Sequence, residues 1–379
     1  MKVLVDGDVF AWQKHGGISR IYKEVLPRIA RLDFVDKVIL VGQGLEVSSL
    51  DLHDCCEIVN VTKVQLQRYK PWRFWYWLSN FINRSLLRLA WIRLSRTGDV
   101  FVSTYFTDPP VKCPKIVVVY DMIYEVYPDS FESNNWQITV QRKKRAIKNA
   151  DCLISISEST KKDVCSLLDV DPELCTVVHL AAGLSEGPPA DASSREPFVL
   201  YIGGCGSGYK NFDFLLENYL EARSSIFSDM QLIAVCPEMP EEDSVARQLL
   251  QRNPEADVEF IEDCDDEKLA ALYSQCDLFV YPSLYEGFGI PVLEALTFGA
   301  PIACSFSSSL PEVGGDAVHY FDPISKDEFL AAAQKALEEG RDKSYVEKRK
   351  VHAMGFSWDN TAQGFANVIM SVSAPKPSK

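Results

Sequence analysis

The sequence predicts an α/β fold of two Rossmann-like, doubly wound parallel-sheet domains facing each other across a cleft. Three observations carry that prediction. Short β-rich apolar runs alternate with amphipathic helical stretches along almost the whole chain. The runs are continuously apolar rather than alternating, as strands covered by helices on both faces are. The chain has 379 residues, beyond the size at which one hydrophobic core usually keeps growing.

In the first half the strand runs are "VLVDGDVF" (3–10), "KVILVG" (37–42), "DVFVSTYF" (99–106), "KIVVVYD" (115–121), "CLISIS" (152–157) and "CTVVHL" (175–180). In the second they are "FVLYIGG" (198–204), "QLIAVC" (231–236), "VEFIED" (258–263), "DLFVYPS" (277–283), "PIACSF" (301–306) and "AVHYFD" (317–322). Between the halves "SEGPPADASSREP" (185–197), rich in Pro, Ser and charge, reads as a linker. It separates a first domain over 1–186 from a second beginning at 187. Ligands of such sheets sit beyond the C-terminal strand ends, so the loops after each run are where chemistry is sought.

Composition narrows the function. The chain is 47% hydrophobic and 24% charged, ordinary for a folded enzyme. A net charge of -14 disfavours a nucleic-acid binder, which needs clustered Lys and Arg. The eleven cysteines are scattered with no C-x-x-C pair, which excludes an obvious disulfide framework or zinc site and favours a reducing cytoplasm. The N-terminus has no signal-peptide pattern, and no apolar run approaches the ~20 residues that span a bilayer.

Three loops carry candidate chemistry. After "FVLYI" comes "GGCGSGYKN", a glycine-rich turn that begins with Gly203 and Gly204 and ends with Lys210 and Asn211 before an apolar-periodic helix. Backbone N–H groups, a helix start and an ammonium together make a phosphate site. The spacing matches neither a Walker A loop nor G-x-G-x-x-G, and a tight turn with a solvated lysine explains the same residues. In "YEGFGIPVLEAL" Pro291 suits a first helical turn, while Gly287 and Gly289 let backbone amides approach a ligand. Glu286 then lies in the loop and Glu294 in the first turn of the helix, where a carboxylate also stabilises the helix dipole. In "HGGISRIYKEVLPRIARL" a glycine pair, Gly16 and Gly17, follows His15 at the start of a helix that Pro27 should kink. Asp6 and Asp8 form a D-x-D, a pattern that could bind a divalent metal with a nucleotide sugar; hard-metal sites want more oxygen ligands, so the end of a strand is the expected role.

Together "HGGISR", "YKN" after a glycine-rich turn, E-x7-E in "EGFGIPVLE" and the tail "FSWDNTAQGFANVI" resemble the retaining nucleotide-sugar glycosyltransferases of family 4, which have the GT-B fold. The phrases "GGISR" and "GYKNFD" are most similar to the bacterial mannosyltransferase branch. The resemblance implies a donor domain over 187–355 and a last helix within 356–379 that returns to the first domain. It implies transfer of a hexose, mannose from GDP-mannose first, UDP being the other base considered, with retention of configuration and no required metal or other cofactor. Glu286 would contact the donor sugar, Glu294 the ribose hydroxyls and Lys210 the diphosphate, with the amides of Gly287, Phe288 and Gly289 nearby. Gly16, Gly17, Gly204 and Asn211 join the donor site, Asp121 the catalytic set, and His15 and Tyr120 the acceptor side. Two departures stand out. The loop before Lys210 lacks the arginine common in the family, leaving Lys210 as its only cation. Tyr120 stands where the family often has His, and unlike His it cannot titrate near neutrality.

The segment 68–96, "RYKPWRFWYWLSNFINRSLLRLAWIRLSR", holds seven positive charges, eight aromatics and no acid. Basic residues beside Trp and Tyr suit the headgroups of an anionic membrane, where a lipid-linked acceptor is met. An amphipathic helix with core aromatics and solvated arginines fits equally. The expected enzyme is therefore cytoplasmic, peripheral on the membrane, and takes a saccharide or lipid-linked glycan as acceptor in surface polysaccharide biosynthesis. A nucleotide-sugar epimerase or hydrolase of the same architecture is the alternative, and a non-catalytic membrane scaffold a third reading.

Overall fold

A computed structural model describes residues 1–12, 16–45, 52, 56–66, 72–131, 135–184, 196–206 and 208–373. The linker expected at 185–197 lies, but for its last two residues, outside them, as do His15, Cys55, Arg68, Tyr69 and Lys70.

The first sheet contains β1 (Lys2–Asp6), β2 (Lys37–Gln43), β3 (Cys56–Val61), β4 (Val100–Ser103), β5 (Lys115–Val119), β6 (Cys152–Ser155) and β7 (Cys175–Val177). The second contains β8 (Phe198–Ile202), β9 (Gln231–Val235), β10 (Val258–Ile261), β11 (Leu278–Tyr281), β12 (Ile302–Ser305) and β13 (His319–Phe321). The orders are β3-β2-β1-β4-β5-β6-β7 and β10-β9-β8-β11-β12-β13, every pairing parallel. Each sheet is thus wound outward in both directions from a switch point, between β1 and β4 in one and between β8 and β11 in the other. That position is where chain ends part to leave a crevice.

The central strands are buried on both faces: β4, β6, β11 and β12 have no exposed residue. Continuous apolar sequence follows from that environment. Strand β3 lies at the sheet edge with Glu57 and Asn60 exposed, and its mixed sequence "CEIVNV" hides it from a search for continuous runs.

Helix Gly17–Ile29 buries Ile21, Tyr22, Val25, Leu26 and Ile29, apolar residues recurring every three or four positions on one face. Pro27 falls in its last turn, and the helix ends two residues later. The final helix, Trp358–Ser373, buries Phe365, Ala366 and Ile369, packs on helix Gly17–Ile29 and is tied to it by Arg28 to Asp359 at 2.8 Å. Helix Trp358–Ser373 therefore packs as part of the first domain. None of the ten described cysteines is in a disulfide. No helix among the described residues is long and apolar enough to cross a membrane, and no group of His, Cys, Asp or Glu there is placed to hold a metal.

Candidate active site

The loops at both switch points meet in one cleft of about 1100 Å³. From the first sheet come Gly16, Gly17 and Arg20 after β1 and Asp121 after β5; from the second come Lys210 after β8, Asp266 after β10, and Glu286 to Pro291 with Glu294 after β11. The donor residues read from the sequence are brought together, with two exceptions. Gly204 and Asn211 do not line the cleft. The Asn211 amide donates instead to the carbonyls of Pro282 (3.1 Å) and Pro323 (2.8 Å), and its left-handed backbone (φ 59°) starts helix Phe212–Ala222, so it shapes the turn that aims Lys210. Gly204 accepts from the Tyr201 hydroxyl at 2.7 Å, which pins the same turn.

The Lys210 ammonium lies 2.6 Å from Glu286 Oε1, and the Tyr281 hydroxyl donates to that oxygen at 2.8 Å. Lys210 also sits over the rings of Tyr209 and Tyr281, 5.2 and 5.5 Å from their centroids. Burial works against its charge, but the Glu286 carboxylate and the tyrosines outweigh it and hold the ammonium well above the usual lysine range. The Glu286 loop is fixed by two serines: Ser308 accepts the Glu286 N–H at 2.7 Å, and Ser309 donates to the carbonyls of Glu286 and Phe288, both at 2.9 Å. Beyond it, the N–H groups of Gly287, Phe288 and Gly289 have no acceptor among the described residues, at the entry of helix Ile290–Thr297. Three free donors at a helix start are suited to an anion.

Glu294 corrects the expected helix position. It is the fifth residue of helix Ile290–Thr297, in the second turn, so dipole stabilisation does not account for it. Only 6% of it is exposed. Oε2 accepts from the Tyr273 hydroxyl at 3.1 Å. Burial pushes its pKa up to about 7, against the lowering effects of that hydrogen bond and of the Arg20 guanidinium. Arg20, paired with Asp266, was missed in the sequence although it stands inside "HGGISR". A Cβ built on Gly183 would lie 2.3 Å from Arg20 Nη1 and 3.1 Å from Glu294 Oε1, so this glycine leaves the room in which they approach. Lys210 is therefore not the only cation of the site, because the first domain supplies one across the cleft.

Tyr120 requires a second correction. Its ring is buried and its hydroxyl points into the first domain, bonded to the Tyr22 hydroxyl at 2.6 Å and the Thr104 carbonyl at 2.7 Å. Its backbone faces the cleft instead. A Cβ on Gly287 would lie 1.9 Å from the Tyr120 carbonyl oxygen, and the Gly287 carbonyl accepts from Ser157 (2.7 Å) and Thr160 (3.1 Å). Gly287 is thus a point at which the backbones of the two domains pack directly together. Asp121, beside it, is partly exposed and caps the Ile123 N–H at 3.1 Å, with the buried Lys143 3.9 Å away. Asp6 is wholly buried and accepts from the Thr104 N–H and hydroxyl, both at 2.6 Å; it ends a strand, and burial followed by the neighbouring Asp8 charge pushes it up to about 7.

A fold and cleft of this kind define a two-domain GT-B protein, and comparison with known proteins agrees. Residues 188–351 match the family described as glycosyl transferases group 1, so the second domain is a glycosyltransferase domain. The O-antigen chain mannosyltransferase B of Escherichia coli is 30% identical over 227 residues, 57% of this chain and 59% of that protein. The O-antigen chain mannosyltransferase RfbU of Salmonella typhimurium is 24% identical over 312 residues, 82% of each chain. The match to a serotype-specific mannosyltransferase of Escherichia coli spans 34% of its length, so this chain corresponds to only part of some relatives. Among solved structures, HepE of Anabaena in complex with UDP-glucose superposes with a TM-score of 0.70 at 17% identity, covering 98% of this chain and all of that one.

Proposed function

We propose that the chain is a retaining glycosyltransferase of family 4, moving a hexose from a nucleoside-diphosphate sugar to a saccharide or lipid-linked glycan at the cytoplasmic face of a membrane, in the building of a surface polysaccharide. GDP-mannose is the proposed donor, supported by the mannosyltransferases among its relatives. The observation that carries the reading is the arrangement after β11: Glu286 on Lys210, three free amides, then a buried Glu294, in that order along one loop and helix.

In this reading the diphosphate lies over the amides of Gly287, Phe288 and Gly289, between Lys210 and Arg20. Glu294 accepts from the ribose hydroxyls, and Glu286 from the sugar. When the bond from the sugar C1 to the diphosphate oxygen breaks, negative charge grows on phosphate, where fixed cations and N–H donors stabilise it most. The acceptor hydroxyl bonds to C1 on the face the diphosphate leaves, and its proton passes to the departing phosphate oxygen. The pair Lys210–Glu286 keeps the ammonium in place before the donor arrives, so little reorganisation is needed.

Thermal-shift titration with GDP, UDP and ADP tests this, because a ligand of the folded state raises stability. A selective shift by GDP is expected. Glu294→Ala should weaken nucleotide binding, and Glu286→Ala should mainly lower turnover; identical effects of both on binding and turnover would sink the assignment. Turnover should persist in EDTA, with an axial product bond by NMR.

A further inference from the structure

We propose that helix Trp72–Leu94 of the first domain docks the protein onto an anionic lipid surface, with its first half as the inserted edge. The proposal adds to the reaction above a place where a lipid-linked acceptor is met, and its test does not depend on activity.

The helix has two different halves. In the second, Trp91 is buried edge-on against Phe101 (5.3 Å, 84°), and Leu87 and Leu94 pack into the same small core on the sheet. In the first, the inward residues are polar. The Ser79 hydroxyl accepts from the Leu66 N–H at 2.9 Å, and the Asn83 side chain accepts from the Val64 N–H at 2.8 Å and donates to its carbonyl at 3.0 Å. This half is held to the chain by hydrogen bonds, so five of its six aromatics are not needed for packing and stay outside. Trp72, Phe74, Tyr76, Trp77 and Phe81 are each 51 to 62% exposed, and Trp77 stacks on Phe81 at 5.8 Å.

Eight of the twenty exposed large apolar side chains among the described residues lie on this one helix. An apolar concentration of that kind on a free surface marks an interaction site. The charge names the partner. Arg73, Arg84, Arg88 and Arg93 lie on the helix with no acid among its residues, and none forms an ion pair among the described residues. A chain of net charge -14 is repelled by an anionic surface unless cations are gathered where contact is made. Trp and Tyr settle at headgroup depth, and arginine stems lie along apolar surface while the guanidinium reaches phosphate. A second copy of the chain fits worse, since it would set arginines against arginines.

The test is co-sedimentation of the full chain with vesicles of phosphatidylcholine alone or with phosphatidylglycerol. Binding to the anionic vesicles, weak binding to the neutral ones and release by salt are expected. Arg84→Gln with Arg88→Gln should weaken partition about 30-fold, from roughly 1 kcal/mol per cation. Trp77→Ser with Phe81→Ser should weaken it at least as much, while the thermal shift by nucleotide stays unchanged in both variants. Quenching of tryptophan fluorescence by lipids brominated along the acyl chain checks insertion in the unaltered protein. No binding to anionic vesicles, no quenching, or equal binding by wild type and variants overturns the proposal. So does a dimer lost in the same variants in place of vesicle binding.

Discussion

Glu294 shows how much the surroundings of one carboxylate decide. Its folded pKa of about 7 lies far above the ordinary 4.5, so between those values Glu294 in the folded protein holds a proton that it does not hold in the unfolded chain. Ribose hydroxyls donate to an ionised carboxylate better than to a carboxylic acid. Nucleotide affinity should therefore rise as pH goes from 6 to 8, and calorimetric titration should find that Glu294→Gln removes the part of the slope not due to the diphosphate itself. Stability runs the opposite way. Asp6 and Glu294 both have raised pKa values, so the folded state binds more protons across this window, and their contribution is present at low pH and lost as pH rises through about 7. Urea denaturation at pH 5 and pH 8 should show the loss, and Asp6→Asn should reduce it. The spacing of Glu286 and Glu294 was legible in the sequence because both lie on one short stretch. Arg20 was not, because only the fold brings residue 20 to residues 266 and 294. Tyr120 was legible as a strand-end residue, but the buried partner that claims its hydroxyl, Tyr22, comes from another element.

At the scale of elements, the glycines of the loops after β8 and β11 have different jobs. Gly287 has the Tyr120 carbonyl where a side chain would go, and backbone cannot move aside as a flexible side chain can. Gly287→Ala should separate the loop from the first domain, break the bonds from Ser157 and Thr160, and lower turnover by about a hundredfold, since small displacements of positioning groups cost that much. Gly206, in the turn before Lys210, has nothing within 4 Å of a built Cβ and no left-handed backbone. Gly206→Ala should leave the melting temperature within a degree or so. Comparing the two variants by melting and by turnover separates loop packing from mere glycine content; equal behaviour would show that the domain contact at Gly287 is unimportant. Twelve of the thirteen strands were legible, the central ones because burial on both faces imposes continuous apolar sequence. β3 was not, because Glu57 and Asn60 break its apolar residues into a very short run. The second-turn position of Glu294 was hidden for a different reason: the left-handed Gly289 places the helix start at Ile290, which a proline signal alone cannot locate to the residue.

For the whole molecule, the question is whether two sheets behave as two bodies. One apolar core runs from Val3, Val25 and Val118 in the first domain through Phe288, Val292 and Leu293 to Phe279 and Tyr281 in the second. The final helix continues it: Phe365 and Ile369 are almost fully buried, Trp358 donates to the Ala182 carbonyl at 2.9 Å, and Thr361 donates to the His179 carbonyl at 2.8 Å. Polar bridges reinforce the join, with the Tyr285 hydroxyl accepting from the Met122 N–H at 3.1 Å and donating to Asp163 at 2.7 Å. Because the chain leaves the first domain, builds the second and returns, neither can lose its packing without exposing part of this shared core. Phe365→Ala should cost about 3 to 5 kcal/mol, the usual loss for a large buried aromatic. It should shift a single denaturation curve as a unit, read alike by far-ultraviolet dichroism and by tryptophan fluorescence. A curve that splits, with the half carrying the glycosyltransferase domain unmoved, would mean that the final helix stabilises only the first domain, and that the cleft opens by the domains unfolding and moving independently.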